Sequence, residues 1–255
     1  MALSIGRAWN TAEVASPVFL TLDLLMVFTP RLDILPPAQR SLWPHLAQVP
    51  GHFVLYGGTA IALRLGHRQS VDFDFFSDAD LDDGQKYNLL NEIAWLKGAS
   101  VLQNEKDTLT VSVDHMGAPI KVSFFGGVKN GCVCEPDKTD DDVLCVASMY
   151  DLFAHKLIHD RGEAKDYQDI AVILANGQSL PRGLAALEAL FGSSVPPMIT
   201  LKSLTYFNDL NEPWRLTDDM KSTITTAISG LPKSWGRISI FSRTLCCQES
   251  KNPKP

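Results

Sequence analysis

Hydrophobic and polar positions divide the chain into a part with strand-like patterns and a part with helical patterns. Segments 109–113 and 120–125 alternate apolar and polar residues, which predicts an antiparallel hairpin on a half-buried sheet. From residue 147 onward, apolar positions recur at helical spacing, which predicts successive helices. The pattern therefore predicts an α+β fold, with a mixed sheet and flanking helices followed by a helical C-terminal half.

The remaining elements fill in this layout. They are a short helix at 38–48 that begins at Pro44 or is broken there, a strand at 53–56, a helix at 59–65, a helix at 82–97, a strand at 143–146, and helices at 163–174, 185–191 and 199–209. We divide the chain into an extension at 1–31, a core at 32–146, a helical part at 147–212 and a tail at 213–255. The sequence assigns no role to this tail.

The N-terminal extension is predicted to be neither a signal peptide nor a membrane anchor. Its apolar run, 18–28, is interrupted by Asp23 and is too short to span a bilayer. Because no usable pattern precedes residue 32, we also expect the true start to be Met26. Recovery of peptides from Ser4 to Glu13 of the endogenous protein would refute this expectation.

Composition limits the partners of this chain. Its 255 residues, 45% of them hydrophobic, can bury a full core in one domain, or in one domain with a helical appendage. The net charge of -6 argues against a broad electrostatic footprint for nucleic acid, so any RNA contact should be local. Basic residues that could steer phosphates locally are Arg64, His67, Arg68, Lys121, Lys129 and Lys156.

The cysteines suggest an intracellular location. There are five, an odd number, and their spacing does not match that of a zinc finger. We therefore expect free thiols in a reducing cytosol, which predicts a cytoplasmic protein without membrane contact.

The candidate chemistry begins with a glycine pair followed by two carboxylates. Gly57 and Gly58 lie between a predicted strand and a predicted helix, where backbone N–H groups could face an anion. Asp72 and Asp74 share one face of a strand because side chains alternate. Oxygen ligands of this kind suit Mg²⁺ or Mn²⁺, which also accept phosphate oxygens. The alternative is a solvated strand face beside a helix that needs a glycine turn.

A second cluster follows on the predicted helices. Asp166 and Asp169 are one turn apart and can face the same side, and Lys165 is spaced for an i,i+4 pair with Asp169. A phosphate site needs cations opposite its acids, which favours Lys156 as a site residue. Asp166 and Asp169 could instead orient Lys156 or Arg161, and the alternative for the whole cluster is a solvated helix face.

Other catalytic patterns have little support. His155 and His159 are spaced i,i+4, but Lys156 occupies the position of the glutamate in the zinc-protease motif. The sequence contains neither a G-x-S-x-G nucleophile motif nor a Walker A motif.

Three motifs in order, at 55–76, at 120–127 and at 151–169, resemble those of the nucleotidyl transferase AbiEii/AbiGii toxin family, within the polymerase-beta-like nucleotidyltransferase superfamily. The resemblance covers about residues 34–210. It implies a nucleotidyltransferase-like fold with its α/β core at 32–146 and a site completed by 147–212. It also implies Mg²⁺ or Mn²⁺, an NTP substrate, an RNA (tRNA) or protein acceptor, and a cognate antitoxin in a toxin–antitoxin or phage-defence system.

The resemblance also implies the site residues. Asp72, Asp74 and Lys156 would be catalytic, with Asp72 and Asp74 as the metal ligands. The implied nucleotide-binding residues are Gly57, Gly58, Thr59, Arg68, Ser70, Lys165, Asp166 and Asp169. The acceptor hydroxyl would attack the α-phosphorus of an NTP held by the metal and the glycine turn. Lys156 would stabilise the charge, and pyrophosphate would leave.

One position departs from the superfamily pattern. Ser123 occupies the place of a third carboxylate, and a hydroxyl cannot ionise near neutral pH to act as that acid would. Three explanations remain for the missing negative charge of the third carboxylate. Asp114 could supply it, Asp166 or Asp169 could supply it, or a single firmly held metal could be sufficient without it. We favour the single metal. The functional alternatives are a phosphotransferase on the same fold and a degenerate relative that binds nucleotide without turnover.

Overall fold

The computed structural model describes residues 27–158, 163–208 and 210–245. Its strands form one mixed sheet of eight in the order β1-β7-β8-β2-β3-β6-β5-β4. The strands are β1 (Val27–Phe28), β2 (Val54–Tyr56), β3 (Phe73–Phe76), β4 (Ser100–Glu105), β5 (Thr108–His115), β6 (Ala118–Phe125), β7 (Asp137–Thr139) and β8 (Cys145–Val146). The Met26 start hypothesis and most of the N-terminal apolar run lie outside the described residues.

Helices flank the sheet and form the C-terminal half, as the predicted α+β layout requires. They are α1 (Pro37–Leu42), α2 (Gly57–Leu65), α3 (Asp83–Glu92), α4 (Met149–Lys156), α5 (Ala164–Ala175), α6 (Leu180–Phe191), α7 (Pro197–Leu204) and α8 (Asp218–Ser229). The fold class is therefore confirmed.

The predicted hairpin is present as β5 and β6, which pair antiparallel along their full length. The turn is closed by Asp114, whose Oδ1 accepts a hydrogen bond from the Gly117 N–H at 3.2 Å. Strand β4 was not predicted. All six of its residues are exposed at the edge of the sheet, so no alternation of apolar and polar residues marks it.

Several helix boundaries differ from those predicted. The predicted helix at 38–48 changes at Trp43 into a 3-10 helix (Trp43–Gln48), because Pro44 lacks an N–H donor. Helix α3 begins with a capping box in which Asp82 and Gln85 bind each other's backbone, and it ends at Glu92 instead of continuing to residue 97. Helix α6 begins at Leu180, five residues earlier than predicted.

The tail that the sequence left unassigned contributes a helix to the fold. Thr217 caps α8 by accepting a hydrogen bond from the Met220 N–H at 3.3 Å, and α8 packs against α5. The chain then returns to the sheet, where the Leu245 N–H donates to Asp78 Oδ1 at 3.0 Å.

The two faces of the central strands differ in character. Phe75 on β3 stacks on Phe124 of β6 at 5.4 Å between ring centroids, and Phe53 packs edge-on against Phe124 at 5.2 Å. These buried rings fill one face of the sheet. Because side chains alternate along a strand, Asp74 projects from the other face of β3. That face carries the candidate site.

Within the described ranges, no single helix is long and apolar enough to cross a membrane, and Leu180–Ser194 with Pro197–Leu204 would qualify only as a pair bent by 120°.

Cys132 and Cys134 are free thiols, but Cys145 is disulfide-bonded. The prediction of free thiols is therefore wrong for Cys145, because proximity in the fold sets disulfide pairing and spacing along the chain does not show it.

Candidate functional site

The glycine pair forms the first turn of α2 and not a separate turn before it. The helix begins at Gly57, two residues earlier than predicted, and no described side chain caps it. Helix geometry leaves the N–H groups of the first turn without partners inside the helix. Together with the helix dipole, these N–H groups make the start of α2 suitable for an anion.

Each glycine also makes room for a side chain of the site. Gly57 has a φ of 74°, and a Cβ there would lie 2.7 Å from Asp74 Oδ2. A Cβ on Gly58 would collide with Nη2 of Arg68. In this structure the missing Cβ atoms make room for Asp74 and Arg68. Nucleotide contact by the backbone N–H groups of the two glycines stays a prediction.

The two carboxylates lie where β3 meets its neighbours. Asp74 pairs with Tyr56 of β2 on one side and with Ser123 of β6 on the other. Asp72 comes just before β3, and Lys121 Nζ lies 4.0 Å from its Oδ2. Burial and the adjacent charge of Asp72 raise the pKa of Asp74, although Lys121 and a hydrogen bond with Ser123 oppose the shift.

These residues fit a divalent cation bound together with phosphate. Within the described part of the chain, no three or more His, Cys, Asp or Glu side chains are placed to hold a metal ion. Asp72 and Asp74 would therefore supply two oxygen ligands, and water and phosphate oxygens the others, which is a coordination that Mg²⁺ accepts. Burial and the charge of Asp72 raise the pKa of Asp74, so its ionised form is disfavoured, and a bound cation would favour that form.

Asp169 is the centre of the second cluster. Its carboxylate is fully buried and accepts hydrogen bonds from Arg68 Nε at 2.7 Å and Arg68 Nη2 at 2.9 Å. His67 Nε2 lies 2.7 Å from Oδ1, and Lys156 Nζ lies 2.9 Å from Oδ2. Burial alone would raise the pKa of Asp169, but the hydrogen bonds from His67 and Arg68 and the charges of Lys156 and Arg68 hold it well below its usual range.

Lys156 ends α4 between two carboxylates, Asp166 and Asp169. Burial alone would lower its pKa, but these two charges raise it, so the ammonium stays protonated. Asp166 and Asp169 face the same side and orient Lys156, which was one of the alternatives from the sequence. Arg161, the other residue that they could orient, lies outside the described residues.

Lys165 does not join this cluster. Its Nζ pairs with Glu163 Oε2 at 3.2 Å, so the expected i,i+4 pair with Asp169 is wrong. The reason is that Asp169 points into the core towards other cations, whereas the Lys165 side chain is half-exposed. Nucleotide contact by Lys165 stays a prediction.

Thr59 and Ser70 are buried and bonded within the protein. Their hydroxyl oxygens lie 2.7 Å apart, and Thr59 Oγ1 also donates to the carbonyl of Asp72. These bonds fasten the start of β3 to α2. Phosphate contact by either residue stays a prediction. For Thr59, the group that could make this contact is its backbone N–H in the first turn of α2.

The structure reduces the candidates for the missing third acid. Asp114 pairs with Pro119 while Ser123 pairs with Thr110, so Asp114 lies about 13 Å further along the strand and cannot serve the site. Asp166 and Asp169 are already paired with cations. A single metal held by Asp72 and Asp74 stays our prediction.

Four of the six basic residues that could steer phosphates lie at the candidate site, and two do not. Arg64 pairs with Asp137 at 2.6 Å and Lys129 with Asp80 at 2.8 Å, both outside the site. The other four basic residues contact its acids. Of these, His67 and Lys121 were not among the predicted site residues. The position of His67 next to Arg68, and that of Lys121 two residues before Ser123 on the same strand face, are the signals that could have indicated them.

His155 is part of the packing behind the site. Its ring lies 4.9 Å from that of Tyr56 and 5.1 Å from that of Phe191, and burial lowers its pKa to about 4. It is therefore neutral at physiological pH. His159, the other member of the histidine pair considered from the sequence, lies outside the described residues.

Replacing Gly57 with alanine is expected to destabilise the protein more than replacing Gly98 with alanine. Both glycines have a positive φ, but a Cβ at Gly98 meets nothing within 4 Å, whereas at Gly57 it meets Asp74. We expect the Gly57 variant to lose about 1–3 kcal/mol more free energy of unfolding, measured by urea titration. Equal losses would show that Gly57 and Asp74 do not approach closely.

Known proteins resemble this chain in sequence and in structure. A crystal structure of a candidate nucleotidyltransferase from H. pylori aligns with a TM-score of 0.46 and 16% identity, covering 75% of this chain and 92% of that one. An uncharacterised protein of Aquifex aeolicus (strain VF5) is 32% identical over 162 residues, which are 63% of this chain and 76% of that protein. The family described as nucleotidyl transferase AbiEii toxin, type IV TA system, matches residues 42–238. Because this match spans most of the chain, the protein belongs to the AbiEii nucleotidyl transferase toxin family.

Proposed function

We propose that the protein transfers a nucleotide from an NTP to an RNA (tRNA) or protein acceptor with Mg²⁺ or Mn²⁺. We further propose that it is the cytoplasmic toxin component of a toxin–antitoxin or phage-defence system, paired with a cognate antitoxin. The observation that supports the transfer reaction best is the position of Asp74. Its carboxylate lies against Gly57 at the uncapped start of α2.

Each group of the site has a role in this reaction. Asp72 and Asp74 would hold the metal, which when bound neutralises triphosphate charge and assists the departure of pyrophosphate. The N–H groups of the first turn of α2 would receive phosphate oxygens. As the acceptor hydroxyl oxygen bonds to the α-phosphorus, its proton would pass to solvent water. The bond to the bridging oxygen breaks and pyrophosphate takes the electron pair. Lys156 and Arg68 would stabilise the negative charge that develops.

Ser123 supports a second candidate, a nucleotide-binding protein without turnover. It lies directly beside Asp74 in the parallel pair of β3 and β6, where a third acid would stand. A hydroxyl there cannot remove the acceptor proton as a carboxylate would. If Ser123 limits the chemistry, NTP binding would persist without transfer.

Labelled nucleotides distinguish these functions. Purified protein is incubated with Mg²⁺, total cellular RNA and protein, and each NTP labelled at the α- or at the γ-phosphorus. We expect α-label in RNA or protein and none after chelation by EDTA. Transfer of γ-label would indicate a phosphotransferase instead. NTP binding without transfer of either label would indicate the inactive relative. Absence of NTP binding would refute the proposal.

A further inference from the structure

A cavity of about 520 Å³ lies between α3 and the segment that leads into β2. Phe53 forms part of its wall, and its ring contacts Phe124, which stacks on Phe75. These rings occupy the face of the sheet opposite Asp74, because side chains alternate along β3. The cavity is therefore separate from the candidate metal and phosphate site.

The floor of this cavity is apolar. Phe53, Leu81, Leu89 and Ile93 line it, and each is at most 5% exposed. Ligand sites of 300–1,000 Å³ commonly combine such a floor with a few polar groups. The size and the floor suit a flat ring system.

The polar groups of the rim are mostly amides. Gln48 Oε1 accepts from the Ala94 N–H at 3.1 Å, and Gln85 Oε1 accepts from the Asp82 N–H at 2.8 Å. Both NH₂ groups are therefore available as donors. Asn88 is an exposed lining residue whose amide offers both a donor and an acceptor.

Charge at the cavity disfavours a phosphorylated ligand. Among the described residues that line it, Glu92 carries a negative charge and no lysine or arginine is present. His52 also lines the cavity, but burial lowers its pKa, which disfavours its cationic form. A phosphate here would meet a carboxylate and no lysine or arginine. A neutral ligand is therefore favoured.

We propose that this cavity binds the base of an unphosphorylated adenine nucleoside. The adenine edge presents an amine next to a ring nitrogen, which is the pattern that an Asn or Gln amide complements. The other ring nitrogens accept hydrogen bonds, for which the NH₂ groups of Gln48 and Gln85 are suitable donors. One face of the ring packs on the apolar floor that includes Phe53 and Leu89. This binding does not depend on the transfer reaction.

Adenosine binding to the full chain, measured by calorimetry and by saturation-transfer NMR, tests the proposal. We expect adenosine to bind saturably with a Kd below about 5 mM. Inosine, in which a carbonyl replaces the amine, should bind at least about 10-fold more weakly, and AMP should bind no more tightly than adenosine. Asn88→Trp should weaken adenosine binding at least about 10-fold by filling the rim. Asn91→Trp, at an exposed position of α3 outside the lining, is the matched control and should bind as the wild type does.

Three results would overturn the proposal. They are no saturable adenosine binding, equal affinity in the two tryptophan variants, and loss of adenosine binding in Asp74→Asn. The last result would place adenosine at the metal site. Failure of NTP transfer, in contrast, would refute only the function proposed above.

Discussion

Asp74→Asn is expected to lower nucleotide transfer by at least about 100- to 1,000-fold while leaving the protein at least as stable as the wild type. The substitution removes one of two metal carboxylates but keeps the shape of the side chain. Because burial and Asp72 raise the pKa of Asp74, its charged form is disfavoured in the folded state. A neutral amide relieves that cost. Transfer assays and urea unfolding of the same preparations measure the two effects.

Asp114→Asn is the matched control. Asp114 is an exposed acid on β5, which β6 separates from the strand of Asp74. Its turn-closing Oδ1 is retained as the asparagine carbonyl oxygen. We expect wild-type transfer from this variant. Transfer by Asp74→Asn above about one tenth of the wild-type rate would contradict the assigned role of Asp74, and a large loss in Asp114→Asn would restore Asp114 as a candidate third acid.

Asp169→Asn is expected to lower the free energy of unfolding by about 3–5 kcal/mol at neutral pH. The fully buried carboxylate accepts three charge-assisted hydrogen bonds from Arg68 and Lys156. Removing its charge leaves these two cations in the interior with only Asp166 as a carboxylate partner of Lys156. Urea unfolding of the variant and the wild type measures the difference.

The pH dependence of this difference has a definite sign. The pKa of Asp169 in the folded protein is well below its unfolded value of about 3.9. Its stabilising contribution is therefore fully present above the unfolded pKa and is lost as the pH falls towards the folded pKa. The difference between wild type and variant should accordingly shrink below about pH 4.

Asp166→Asn serves as the control for this prediction. Asp166 pairs with the same lysine, but its side chain is 23% exposed and Lys156 keeps Asp169 as a partner. We expect a loss of about 1 kcal/mol or less. Equal losses in the two variants would show that Asp169 is not the centre of the cluster.

The alternation of apolar and polar residues was sufficient to predict the strands that have one buried face. The hairpin of β5 and β6 was predicted because one face of each strand is buried and the other is not. The shared face of Asp72 and Asp74 follows from the same alternation. Strand β4 is exposed on both faces, so its sequence carries no such signal.

Side-chain contacts between segments that are far apart in the sequence could not be predicted from residue spacing. Arg68 lies against Gly58 and binds Asp169, which is 101 residues away along the chain. Lys165 illustrates the same limit, because helical spacing allowed a pair with Asp169 that the burial of Asp169 prevents. Three-dimensional packing, and not periodicity, determines which partner each charge finds.

Binding of Mn²⁺, followed by electron paramagnetic resonance with and without a non-hydrolysable NTP, tests the central claim most directly. The claim is that Asp72 and Asp74 together hold a metal–nucleotide complex. We predict nucleotide-dependent Mn²⁺ binding by the wild type and its loss in the folded double variant Asp72→Asn, Asp74→Asn. Unchanged nucleotide-dependent Mn²⁺ binding by that double variant would contradict the claim.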